Sequence, residues 1–128
     1  MLMRFVIRSL DSRSGRRQGL FQAAGDLRDS GQLVAADAHE LELVRDWFDR
    51  HLETPSQLSI SKRPHGKAQA ISWFKPSAHD HIDHMRMMQR ILESYGIAVE
   101  IIKTDRPGYV VYEDEFQVAA YPFADTLT

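Results

Sequence analysis

Residues 1–8 alternate, with Met3, Phe5 and Ile7 on one side and Leu2, Arg4, Val6 and Arg8 on the other. This period of two predicts a first strand with one apolar and one mixed face. The polar stretch Asp11-Ser12-Arg13-Ser14-Gly15 then turns the chain. Ser14 is placed to cap a helix whose apolar positions Leu20, Phe21, Ala24 and Leu27 follow the 3.6-residue period, with Ser30-Gly31 ending it. A second helix is predicted to begin at Asp37-Ala38-His39-Glu40, a capping-box pattern, and to bury Leu41, Val44, Phe48 and Leu52, widened by Trp47, until Pro55 closes it. Residues 56–67 hold Ser, Lys, Arg, Pro and Gly with little apolar content, which predicts a long exposed loop.

Ala70-Ile71-Ser72-Trp73-Phe74 is apolar and bounded by Pro76, and reads as a short strand. Ser77 and Asp80 open a third helix near Ala78; His81, Met85, Met88, Leu92 and Tyr95 are spaced 4, 3, 4 and 3 apart, and Gly96 sits where a left-handed residue ends a helix. The last third reads as β: residues 97–104, a turn at Asp105-Arg106-Pro107-Gly108, then Tyr109–Glu113, a tight acidic turn, and 116–121. Two hairpins in succession make this a three-stranded meander. The expected fold is α+β: a two-layer sandwich with three helices on one face of a four- to five-stranded, mainly antiparallel sheet, in the order β-α-α-β-α-β-β-β. Three helices cover one face only, so the other, with Tyr109, Val111, Phe116, Val118 and Ala120 or their alternates, is expected to lie open as a partner surface.

At 128 residues, 43% apolar and 27% charged, the chain fits one folding unit, 1–128, able to hold a core without staples. The absence of cysteine removes disulfides, thiolate nucleophiles and Cys-ligated metals, and suits the cytoplasm, the expected compartment. No apolar run nears the roughly 20 residues that span a bilayer, so no membrane partner is expected. Met1 to Ile7 also lacks the pattern of a signal peptide.

The stretches Arg4-Phe5-Val6-Ile7-Arg8-Ser9, Gly19-Leu20-Phe21-Gln22-Ala23-Ala24, Ile71-Ser72-Trp73-Phe74-Lys75 and Gly108-Tyr109-Val110-Val111-Tyr112-Glu113-Asp114-Glu115-Phe116-Gln117-Val118 together resemble a family of small bacterial proteins of unknown function. The resemblance covers nearly the whole chain. It implies a bacterial or mobile-element origin and carries over no activity, cofactor or site residue.

Two groups of residues carry candidate chemistry. His79-Asp80-His81-Ile82-Asp83-His84 crowds imidazoles and carboxylates into the start of a helix, and His79, His81, Asp83 and His84 are ligand types for zinc, nickel or cobalt. The spacing gives i,i+4 pairs pointing about 100° apart, so a closed site needs ligands from elsewhere; otherwise the acids complement the helix dipole and His81 edges the core. The second group is basic. Five arginines oppose Asp11 alone in the first 18 residues, although the whole chain is at −2. Arg13, Arg16 and Arg17 with Lys62, Arg63 and Lys67 would serve as phosphate contacts and Trp73 as a stacking platform. The competing account is a solvated loop beside a buried Trp73.

The acidic Glu113-Asp114-Glu115 reads as a hairpin tip, and Met85 and Met88 as core. Phosphate-loop, dinucleotide, nucleophile-elbow and zinc-protease signatures are all missing. The reading placed first is therefore a non-enzymatic interaction or regulatory domain, without cofactor, acting through the sheet's face or edge as a homodimer or with another protein. A nucleic-acid-binding module on the basic loops is the alternative, and a metal-dependent enzyme or sensor at the histidine cluster the second.

Overall fold

A computed structural model describes residues 1–12, 15–55 and 70–128. The alternating start forms β1 (Leu2–Leu10). Asp11 N–H donates to Arg16 O and Gly15 N–H to Asp11 O, closing a turn in which Gly15 takes a positive φ of 69°. The chain then runs back along β1 as β2 (Arg17–Gly19), with Leu10 opposite Arg17 and Val6 opposite Gly19. This short strand, unforeseen from the sequence, has only three residues, too few for a visible period.

Helix α1 (Leu20–Asp29) follows directly, with no side-chain cap, and buries Leu20, Ala23, Ala24 and Leu27. Ser14, the expected cap, lies outside the described residues. Helix α2 (Ala35–His51) starts two residues before Asp37 and buries Leu41, Val44 and Phe48. Asp37 does not cap it: its Oδ2 accepts from the Tyr95 hydroxyl, which in turn accepts from Val34 N–H, tying the start of α2 to the end of the third helix. The loop expected at 56–67 falls outside the described residues.

The apolar pentapeptide gives β3 (Ile71–Phe74), and α3 (His79–Ser94) presents His81, Met85, Met88, Ile91 and Leu92 inward. Gly96 ends it with φ 81°, the left-handed residue the pattern called for. The remaining strands are β4 (Glu100–Thr104), β5 (Tyr109–Glu113) and β6 (Gln117–Tyr121). No helix among the described residues is long and apolar enough to cross a membrane.

The three helices pack with a six-stranded antiparallel sheet in a two-layer α+β arrangement. The strand path is β2-β1-β3-β6-β5, with β4 also on β1. Met3 has partners on both edges, Phe74 of β3 and Lys103 of β4, and so has Val6, with Gly19 of β2 and Glu100 of β4. One edge of β1 is therefore taken by β4, and β2 and β3 share the other. Among the described residues β1 and β3 meet only at Met3–Phe74.

The meander is corrected here. β5 and β6 form a hairpin, but β4 pairs with β1 over five consecutive positions, from Leu2–Thr104 to Val6–Glu100, and not with β5. Alternation fixes which face a side chain takes, not which strand lies next door. β1 carries apolar groups on both faces, and its first half is central, with a ladder to fill on each edge. In the crossing from β4 to β5, Gly108 has φ 126°, and a Cβ there would lie 1.9 Å from Tyr121 O, so only glycine fits.

Register divides the core in two. Phe5, Ile7 and Phe74 face the helices, joining Leu20, Leu41, Phe48, Met88 and Leu92 in the larger cluster. At about 1.5–3 kcal/mol per buried side chain, this layer dominates the hydrophobic stabilisation. Val6, Ile71, Trp73 and Ile102 form a second cluster on the opposite face. That face is not the open surface expected: Val6 and Trp73 are 0% exposed and Ile102 3%, and Val118 and Ala120 are buried with them.

Candidate anion-binding site

Strand parity puts Arg4 between Leu2 and Val6 on the outer face of β1, across from Ile102. Its guanidinium reaches the β1–β2 hairpin, where Nη2 donates to Arg17 O at 2.8 Å. Nη1 is buried and has no hydrogen-bond partner among the described residues. Burial first, and then the charges of Arg16 and Arg17, push the Arg4 guanidinium down to about 10, so it stays charged at neutral pH. Neither neighbour relieves it. Arg17 donates from Nε to Ile7 O and forms an ion pair with Glu100 across β1, and Arg16 is engaged as well.

Among the described residues no carboxylate pairs with Arg4, and the sequence of residues 56–69 contains neither Asp nor Glu. A buried charge without a counter-charge is costly, and sites that keep one usually have a use for it. Chemically, the arrangement offers a fork of N–H donors and net positive charge in a low-dielectric setting, which is how proteins hold phosphate and carboxylate groups.

A cleft of about 440 Å³ opens beside Arg4, where β1 and β3 part after their single pair. Ser72 and Gln117 line it together with the apolar Phe5, Leu20 and Phe48. Its polar wall is tightly knit: Ser72 Oγ–H donates to Gln117 Oε1, and Gln117 Nε2 donates to Glu53 O and Asp114 Oδ2. Arg45 and the carboxylates Asp49 and Glu53 line the cleft too, and both acids are shared with a wider depression of about 730 Å³ that Asp114 and Glu115 also line.

The basic residues singled out in the sequence are only partly brought together. Arg16 and Arg17 stand beside Arg4, while Arg13, Lys62, Arg63 and Lys67 lie outside the described residues. Trp73 is fully buried in the outer cluster, its Nε1 without a partner among the described residues, and so presents no ring for a base to stack on. Arg4, which spacing alone left among the general positive charge, is the residue that sequence reasoning missed. The signal was available: it is a charged residue on the strand face that Leu2 and Val6 bury.

The histidines are spread over different environments. His81 is 3% exposed, stacks on Phe116 with centroids 4.2 Å apart, and places Nε2 2.8 Å from His51 O, so that nitrogen carries the proton. His84 lies flat on Trp47 at 3.7 Å and donates from Nδ1 to Asp80 O. His79 and Asp83 are exposed. Among the described residues no three His, Asp or Glu side chains are placed to hold a metal ion. No protein-family model, curated protein or solved structure matches the chain, so the site has to be understood from its own geometry.

Proposed function

We propose that this protein is a non-enzymatic binding domain that takes an anionic group at Arg4, with Arg16 and Arg17 reinforcing the field. The observation that supports it is the half-buried Arg4 guanidinium beside two further arginines and with no carboxylate paired to it among the described residues. Phosphate and carboxylate fit the donor fork equally. The test is thermal unfolding at low salt with sulfate and pyrophosphate, for wild type and Arg4→Met. Binding to the folded state raises the melting temperature with ligand concentration in the wild type only. No shift with either anion would remove the proposal.

A second reading is favoured by β5, which ends the strand path with Tyr109 and Val110 68% and 51% exposed. With the outer face buried at Val6, Trp73, Ile102, Val118 and Ala120, this edge is what supports the interaction-domain reading, the occupant being the same strand of a second copy. Light scattering on the eluting protein at micromolar concentration tests it: a dimer that Val110→Lys dissociates is expected, and a strict monomer sinks it.

A further inference from the structure

Two donors left over on the outer face stand on neighbouring strands. Met3 pairs with Phe74, and both side chains belong to the helix side, so the next positions along this antiparallel pair, Arg4 on β1 and Trp73 on β3, stand next to each other on the outer side. Arg4 also leans across the edge of β1 that β2 and β3 share, since its Nη2 donates to Arg17 O. Trp73 packs in one cluster with Leu2 and Val6, the residues that flank Arg4 on that face. Trp73 is 0% exposed, and among the described residues neither its Nε1 nor Arg4 Nη1 has a hydrogen-bond partner. A buried donor without an acceptor is costly, and an internal water or ion is the usual remedy. Water suits this place poorly. It would accept from both groups but bring two O–H donors of its own, and the rest of the cluster, Val6, Ile71 and Ile102, offers only hydrocarbon side chains. An anion accepts without donating, and the charges of Arg4 and Arg16 favour it.

We infer that the anion held by Arg4 is a monatomic halide, of which chloride is the abundant one, seated on the outer face with Arg4 Nη1 and Trp73 Nε1 as its donors. This rests on the anion-binding reading and adds to it the kind of anion and a second residue. Size favours a single atom over an oxyanion. Both donor atoms are closed to solvent, so the ligand fits among packed side chains and does not lie in the neighbouring cleft, where the carboxylates Asp49 and Glu53 repel negative charge. Sulfate occupies such a place only by loosening the cluster. The halide is taken up as the outer layer closes around it, and its binding energy adds to the stability of the fold.

The first measurement is thermal unfolding of the full-length protein in gluconate buffer, titrated with chloride or sulfate at constant ionic strength. Chloride should raise the melting temperature at a concentration about tenfold below that needed of sulfate. The second reads Trp73 by itself in a Trp47→Phe background, these being the two tryptophans of the chain. Bromide in contact with the indole should quench its emission saturably. Arg4→Met should remove both effects, and Trp73→Phe, which keeps a ring but not the N–H, should raise the chloride concentration required about fivefold. Circular dichroism confirms the fold of each variant. An Arg4-dependent sulfate shift that chloride does not match overturns this inference and leaves the anion-binding reading standing. So does a chloride shift with Trp73 emission untouched by bromide, because the ion then lies elsewhere on Arg4. No Arg4-dependent shift with any of these anions overturns both.

Discussion

On the helix-covered side of the sheet the buried polar side chains, His81 and Gln117, are hydrogen bonded. On the other side Arg4 and Trp73 each keep a buried donor that has no partner among the described residues. Both sides are packed, so the difference is not one of burial. The inner side is finished as a stabilising core, and the outer side retains uncompensated polarity of a kind that folding alone does not favour. Residues that lower stability without an evident structural gain are where function is sought, and this contrast singles out Arg4.

Substitutions on the two sides should therefore differ in sign as well as in size. The largest loss is expected from Phe48→Ala, which empties a site packed against Phe21, Trp47 and Phe74 and should cost about 3–5 kcal/mol in denaturant unfolding. Gln117→Met keeps the volume but leaves Ser72 Oγ and Glu53 O without their partner, for a loss of about 2 kcal/mol by the same measurement.

Asp114→Asn comes next, at about 1 kcal/mol, because Oδ2 accepts from both Tyr112 Oη and Gln117 Nε2, where an amide would present a donor. Partial burial works against the Asp114 charge, but hydrogen bonds from Phe116 N–H, Tyr112 and Gln117 outweigh it and hold the carboxyl below its ordinary value. Its contribution is therefore present above the unfolded-state value of 3.8 and is lost as pH falls below it through the lower folded-state value. An acid titration followed by tyrosine fluorescence should show a loosening of the β5–β6 hairpin in that range that Asp114→Asn lacks.

Arg4→Met has the smallest effect and the opposite sign: unchanged stability or a gain of up to about 1 kcal/mol, read as a higher melting temperature without ligand. A loss of 2 kcal/mol or more would show that Arg4 serves the fold and would erase the contrast between the two sides.

Much of this architecture was legible in the chain. Helix α3 with its glycine stop, strand β5 and the burial of Met85 and Met88 follow from periods of 3.6 and 2 that local sequence carries in full. What failed were relations between distant segments. Nothing local says that β4 joins β1, or that Asp37 turns from its own helix to a tyrosine 58 residues away. The site was half visible for the same reason: the arginines near the N-terminus stood out as a group, but singling out Arg4 required knowing that the face it shares with Leu2 and Val6 is covered.

The single rung between Met3 and Phe74 has a mechanical corollary. Among the described residues the sheet is two ladders, one built around β1 and one around β6, hinged at that rung and backed by a common helical layer. Pressure from an inserted molecule would spread the ladders like the leaves of a book without unzipping either, because the many rungs inside each leaf hold while the one between them flexes. Among the described residues that rung is the narrowest lateral joint of the sheet, and strain between the two ladders gathers there.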